Sequence, residues 1–139
     1  MICYLDASAF VKLLVPERGS AVVLDLWIRA ERLLSSIILY PEGRAALARA
    51  ARAGRLQRRA RDSARRLFEA FWNDVETVDV LPGLADRAGD LAELHALRGF
   101  DAVHLATAEA VADRRLVFIA SDQELCAAAR GVGLSVAEV

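Results

Sequence analysis

Five short apolar runs alternate with helix-length segments along the whole chain, and few architectures accommodate that order. The runs "ICYL" (2–5), "LLSSII" (33–38), "TVDV" (77–80), "LVFIA" (116–120) and "LSVAEV" (134–139) have the length and residue types of strands. Between them the spacing predicts helices over 8–15, 19–31, 41–54, 57–75, 83–97, 101–114 and 122–131, segments rich in Ala, Leu and Arg. Pro41 stands where a first helical residue belongs, and Gly54 and Gly131 where helices stop. Strands that alternate with helices in this way predict an α/β fold, a parallel sheet with helices on both faces. Neither a repeat nor a linker interrupts it, so residues 1–139 are expected to form a single domain.

At 139 residues the chain can bury a substantial core, and with 55% hydrophobic and 27% charged residues it reads as globular. No apolar stretch approaches the ~20 residues of a membrane span, and the N-terminus lacks a secretory pattern. Cys3 and Cys126 have no metal-ligand spacing and are expected as reduced core residues of a cytoplasmic protein. The net charge of −1 hides an asymmetry: residues 44–66 hold nine arginines and one acid, Asp62, while the remainder is acidic. Lys12 is the only lysine. Phosphate-binding loops of the Walker type and Schiff-base chemistry need a lysine in a context Lys12 does not have.

Open parallel sheets bind ligands beyond the carboxyl ends of their strands. Asp6 directly follows "ICYL", Glu42 opens the helix after "LLSSIILY", Asp122 follows "LVFIAS", and Asp101 opens a helix entered through "RGFD". Helix N-termini favour acids by ~0.3–1 kcal/mol each, so capping competes with function for Glu42, Asp101 and Asp122. Asp6 is less well explained as a cap, because it ends a strand between apolar segments.

Four carboxylates brought together repel by about 4 kcal/mol per pair at ~4 Å and a surface-like dielectric. With no lysine near them in sequence and the arginines mostly elsewhere, a divalent cation is the natural compensator. An all-oxygen donor set favours Mg²⁺ or Mn²⁺ over zinc. Such an ion acidifies a bound water and neutralises a phosphodiester. Ser8 fits as a hydroxyl orienting a ligand or a water, and equally as the cap of the helix it begins. His104, three residues after Asp101, could assist proton transfer, but a structural hydrogen bond explains it better.

These residues together resemble a known family. "YLDASAFVKLLVPERGS", "PEGRAALARA", "RGFDAVHLATA" and "ASDQELCAAARGVGLSV" are similar, in order and spacing, to the motifs of PIN-domain toxins of the VapC type. The resemblance covers essentially the whole chain. It implies a five-stranded parallel α/β domain and a Mg²⁺- or Mn²⁺-dependent endoribonuclease. Asp6, Glu42, Asp101 and Asp122 would form its catalytic and metal-binding quartet, with Ser8 as the accompanying hydroxyl. It further implies a homodimer, an RNA substrate and a VapB-like antitoxin that blocks the site. One position departs from the pattern: Ala120 stands where relatives often carry Thr or Ser, and Ser121 is the available substitute.

The arginine-rich segment, with Arg44, Arg49 and Arg52 foremost, is expected to contact RNA or a partner through bidentate phosphate or carboxylate pairing. Trp27, Trp72, Phe68 and Phe71 are expected in the core. A PIN-fold module that has lost catalysis and only binds RNA or a partner is the alternative, and Ala120 is the feature that favours it. An aspartate-nucleophile phosphatase would need a downstream lysine, which the sequence lacks.

Overall fold

The computed structural model describes residues 1–54 and 56–139, so Arg55 of the basic segment lies outside the described residues. Five parallel strands form one sheet: β1 (Ile2–Leu5), β2 (Arg32–Ser36), β3 (Glu76–Val78), β4 (Leu116–Ala120) and β5 (Ser135–Glu138), in the order β3-β2-β1-β4-β5. The helices are α1 (Ala7–Val11), α2 (Ser20–Arg29), α3 (Leu39–Arg52), α4 (Arg58–Asn73), α5 (Pro82–His95), α6 (Gly99–Ala110) and α7 (Gln123–Gly131).

Alternation along the strands divides the core in two. Ile2, Tyr4 and Phe118 face one layer with Leu91, Leu105 and Leu125 of α5, α6 and α7. Cys3, Leu5 and Ile119 face the other, with Phe10, Val23, Trp27, Leu39 and Phe68 of α1 to α4. Because the side-chain period of a strand is two, a central strand covered on both faces must be apolar throughout, and β1 is buried at all four positions. The aromatic expectation holds: Phe10, Trp27, Phe68 and Phe71 pack edge to face in this second layer, and Trp72 stacks on Phe68. Cys3 and Cys126 are buried free thiols. None of the helices among the described residues is long and apolar enough to cross a membrane.

Several boundaries move. β2 stops at Ser36 rather than at residue 38, because Ile37 and Ile38 turn the chain into α3. α3 therefore begins at Leu39 and Pro41 is its third residue, tolerated because first-turn N–H groups have no intrahelical acceptor. The helix expected over 8–15 is a five-residue α1 followed by turns.

The chain winds outward from β1 through β2 to β3, then crosses back to place β4 on the other side of β1. The β1/β4 junction is thus the switch point where a parallel sheet opens a crevice at its carboxyl edge. Asp6 follows β1 directly, and Asp122 follows β4 after Ser121.

Candidate active site

A pocket of about 1010 Å³ opens at that edge. Asp6, Ser8, Glu42, Asp101 and Asp122 all line it, together with His104, Arg98, Lys12, Arg49 and Ser121. The four acids come from four different helix starts. Asp6 caps α1 and Asp122 caps α7, while Glu42 and Asp101 lie in the first turns of α3 and α6.

Capping and site geometry coexist in Asp6. Its Oδ1 accepts the Ala9 N–H at 2.8 Å, so the expectation that Asp6 is poorly explained as a cap is overturned. The same correction removes Ser8 from that role. The Ser8 hydroxyl lies 2.8 Å from both Asp6 oxygens and its oxygen accepts the Ser121 N–H at 3.0 Å. Ser8 thereby ties the end of β1 to the end of β4. Asp122 Oδ1 accepts the Leu125 N–H at 2.9 Å. A carboxylate offers about four lone-pair sites, so neither cap exhausts its acceptors.

Burial pushes the Asp6 carboxyl up to about 6. The charge of His104, the Ala9 N–H and the Ser8 hydroxyl hold it down, and the Asp101 carboxylate raises it further. Asp6 and Asp101, distant in sequence, thus feel each other's charge across the pocket.

Glu42 and Asp101 have partners that sequence reasoning did not anticipate. His104 is buried, with Nε2 2.6 Å from Glu42 Oε2 and Nδ1 3.1 Å from the Tyr4 hydroxyl. The ring thereby bridges Glu42 at the start of α3 to Tyr4 in β1. The structural reading of His104 is borne out. Arg98 Nε donates to Asp101 Oδ2 at 2.6 Å. Basic groups therefore do stand beside the acids: Arg98, Arg49 and Lys12 line the same pocket, although no lysine was expected near the acids and the arginines were expected mostly elsewhere. Arg98 was legible in principle, since an i,i+3 pair on a helix start faces one way. Lys12 is spent locally, its Nζ donating to Glu17 Oε1 and the Arg18 carbonyl.

Around the departure from the family pattern, Ala120 is a fully buried strand residue, whereas Ser121 lines the pocket. The Ser121 Oγ is buried without a hydrogen-bond partner. A buried hydroxyl beside Asp6 and Asp122 with bonding capacity to spare suits a site built to take a hydrated ion or a polar ligand. Among the described residues, no three Asp, Glu, His or Cys side chains stand at metal-enclosing spacing. Mg²⁺ does not require such a cage, since it keeps several waters and takes one or two carboxylates. The all-oxygen donor set fits that ion.

The three arginines singled out in sequence diverge. Arg44 is engaged within the α3–α4 pair: it donates to the Tyr40 hydroxyl at 3.0 Å, sits over the Tyr40 ring and pairs with Glu69 at 3.6 Å. Arg49 reaches the pocket wall, and Arg52 is exposed in the last turn of α3.

Comparison with known proteins agrees with this fold. The PIN domain family model matches residues 3–131. Ribonuclease VapC45 and Ribonuclease VapC49, from two strains of Mycobacterium tuberculosis, are each 46% identical over 136 residues, covering 98% of this chain and 94% of theirs. Among solved structures, PAE2754 of Pyrobaculum aerophilum superposes with a TM-score of 0.72 at 24% identity, over 98% of this chain and 89% of that one. VapC20 of Mycobacterium tuberculosis, described as a sarcin-ricin loop cleaving toxin, gives 0.68 at 19% identity over 91% and 94%. The VapBC2 complex of Rickettsia felis gives 0.66 at 14% identity over 99% and 98%. A family model spanning residues 3–131, with near-half identity to VapC proteins over nearly the whole length, settles the family: this chain is a VapC-like member of the PIN-domain family.

Proposed function

We propose that this protein is a Mg²⁺- or Mn²⁺-dependent endoribonuclease, the toxin of a toxin–antitoxin pair acting in the cytoplasm. The observation that carries the reading is the convergence of Asp6, Glu42, Asp101 and Asp122 on one pocket at the sheet's switch point. The near-half identity to proteins named as VapC ribonucleases supports the same reaction class.

Asp6 and Asp101, with Glu42 and Asp122 beside them in the pocket, would hold the metal. When bound, a divalent ion acidifies water and neutralises charge building on a phosphodiester. The chain's own groups do the remainder. Ser8 keeps the Asp6 carboxylate aimed into the pocket and fixes the loop before Asp122. His104 holds Glu42 in place, and buried Asp6 has the raised proton affinity of a group that gains by meeting a cation. Arg49, on the pocket wall, would neutralise a flanking phosphate. A VapB-like antitoxin and a second copy of the toxin are the expected partners.

The test is purified protein incubated with total RNA, with Mn²⁺ or with EDTA, beside Asp6→Asn and Asp101→Asn. Cleavage that requires the metal and both carboxylates is the expected result. Cleavage by Asp6→Asn at the wild-type rate, or cleavage unaffected by EDTA, overturns the reading. A folded protein that binds Mn²⁺ poorly and cuts nothing would favour the binding-module alternative.

A further inference from the structure

Aromatic side chains in this protein are buried or half-buried, with one exception. Phe100 is 61% exposed, and it lies on the lip of the acid-lined pocket, one residue before Asp101. Leaving a phenyl ring in water forfeits burial that the other aromatics obtain in the core. A Cβ on Gly99 would meet nothing within 4 Å, so this helix start borders open space. Ile38 and Pro41 add apolar surface to the same pocket. On the same helix start, the Arg98 side chain is 78% exposed while its Nε pairs with Asp101.

We infer that Phe100 is the stacking platform for an unpaired base flanking the phosphodiester that the pocket attacks, so that the substrate class is RNA with an unstacked nucleotide at the cut. The inference rests on the ribonuclease reading. The chemistry follows from placement. A phosphodiester seated over the carboxylates carries a base on each side, and a base drawn out of a helix needs an apolar flat surface to replace its lost stack. Phe100 supplies such a surface at the mouth, and a phenyl ring, having no hydrogen-bonding group, selects for an unpaired base rather than for a particular one. A protein partner inserting an apolar side chain against Phe100 is the competing occupant, and the experiment separates the two.

The site of cleavage in total RNA is mapped first, and a short oligoribonucleotide spanning it is made in intact form and with an abasic nucleotide on either side of the cut. On the intact oligonucleotide, Phe100→Ala lowers kcat/KM by about 5- to 150-fold, the span of one base stacked on one ring. On the abasic oligonucleotide that removes the stacked base, wild type falls to the level of the variant and Phe100→Ala loses nothing more. Phe100→Trp restores cleavage of the intact strand, and Phe100→Leu, equally apolar but not planar, does not. A 2-aminopurine at the same position is quenched on binding to wild type and not to Phe100→Ala. Equal cleavage of the intact strand by Phe100→Ala and wild type overturns the inference. So does an equal loss on intact and abasic strands, or a loss confined to self-association measured by light scattering. Should wild type cut no RNA, Phe100-dependent quenching of a 2-aminopurine within a single-stranded oligoribonucleotide of arbitrary sequence would overturn the nuclease reading and leave the stacking site standing.

Discussion

His104 Nε2 lies 2.6 Å from Glu42 Oε2, a contact that ties α6 to the first turn of α3 across the interior end of the pocket. The imidazole is buried and its other nitrogen meets the Tyr4 hydroxyl, a hundred residues away in sequence. Removing it strands two polar groups in a low-dielectric setting. His104→Ala should therefore cost about 2–4 kcal/mol, cavity and unsatisfied partners together. Glu42→Gln keeps a hydrogen-bonding atom at the same place and should cost under about 1 kcal/mol while still removing the site charge. Urea unfolding at neutral pH checks both, and equal losses would show that the imidazole does not anchor Glu42.

Asp6 makes stability depend on pH in a direction opposite to most carboxylates. Its folded pKa is pushed up to about 6 from 3.8, so the folded state binds the proton more tightly than the unfolded chain. The stabilisation that the neutral carboxyl allows is complete below about pH 4 and is lost as pH rises through about 6. At pH 7 the ionised group costs on the order of 2–3 kcal/mol in the metal-free protein. In EDTA, Asp6→Asn should unfold at higher urea than wild type at pH 7, and the difference should shrink towards pH 4. Mn²⁺ should stabilise wild type and not the variant. Thermal melts across pH 4–8, with and without Mn²⁺, read all three outcomes.

Gly43, beside Glu42 in α3, is held by packing rather than by backbone conformation. A Cβ there would lie 2.5 Å from Cε2 of Phe68. That ring is fully buried, 5.3 Å from Tyr40 and 5.4 Å from Phe10 between ring centres, and has no room to retreat. Alanine would gain about 1 kcal/mol of helix propensity and lose about 1–3 kcal/mol to overpacking. Gly43→Ala is expected to destabilise on balance, and Phe68→Leu in the same chain to relieve part of the clash. A Gly43→Ala protein more stable than wild type would mean that α3 and α4 slide apart at little cost.

Much of this architecture was legible because it rests on local pattern. Strand-length apolar runs ending on Asp6 and Asp122 put both acids at the carboxyl edge of a parallel sheet whatever the details of packing. What stayed hidden depends on which side chains meet across the fold. Tyr4 under His104 is a contact between a strand interior and a helix, and neither residue type announces the other. The exchange of roles between Asp6 and Ser8 depends on where α1 begins, and one residue decides which side chain is the cap. Nothing in the sequence marks Phe100, since exposure is a property of the assembled surface. Arg98 was the avoidable miss, standing three residues before Asp101 on the same helix start.

The divergence of Arg44 and Arg49 gives the arginine-rich segment a test that separates structure from binding. Arg44 donates to Tyr40 and pairs with Glu69, joining α3 to α4 while only partly exposed. Arg49, one and a half turns on, is exposed and lines the pocket. Arg44→Ala should lower stability by about 1 kcal/mol through the lost charge-assisted bond and ring contact, and its effect on RNA binding should follow from that loss. Arg49→Ala should leave the unfolding midpoint within about 0.5 kcal/mol of wild type. Its signature should be electrostatic: weaker binding to a single-stranded oligoribonucleotide and a salt slope, log Kd against log salt, reduced by about 0.7 for the one phosphate contact removed. Arg52→Ala, exposed at the helix end, should behave as Arg49→Ala if the RNA backbone runs along α3, and as wild type if it leaves the pocket past α6. Fluorescence titrations between 50 and about 200 mM salt provide the slopes. Unchanged slopes in both variants would move the phosphate contacts off α3 and onto the arginines of α4.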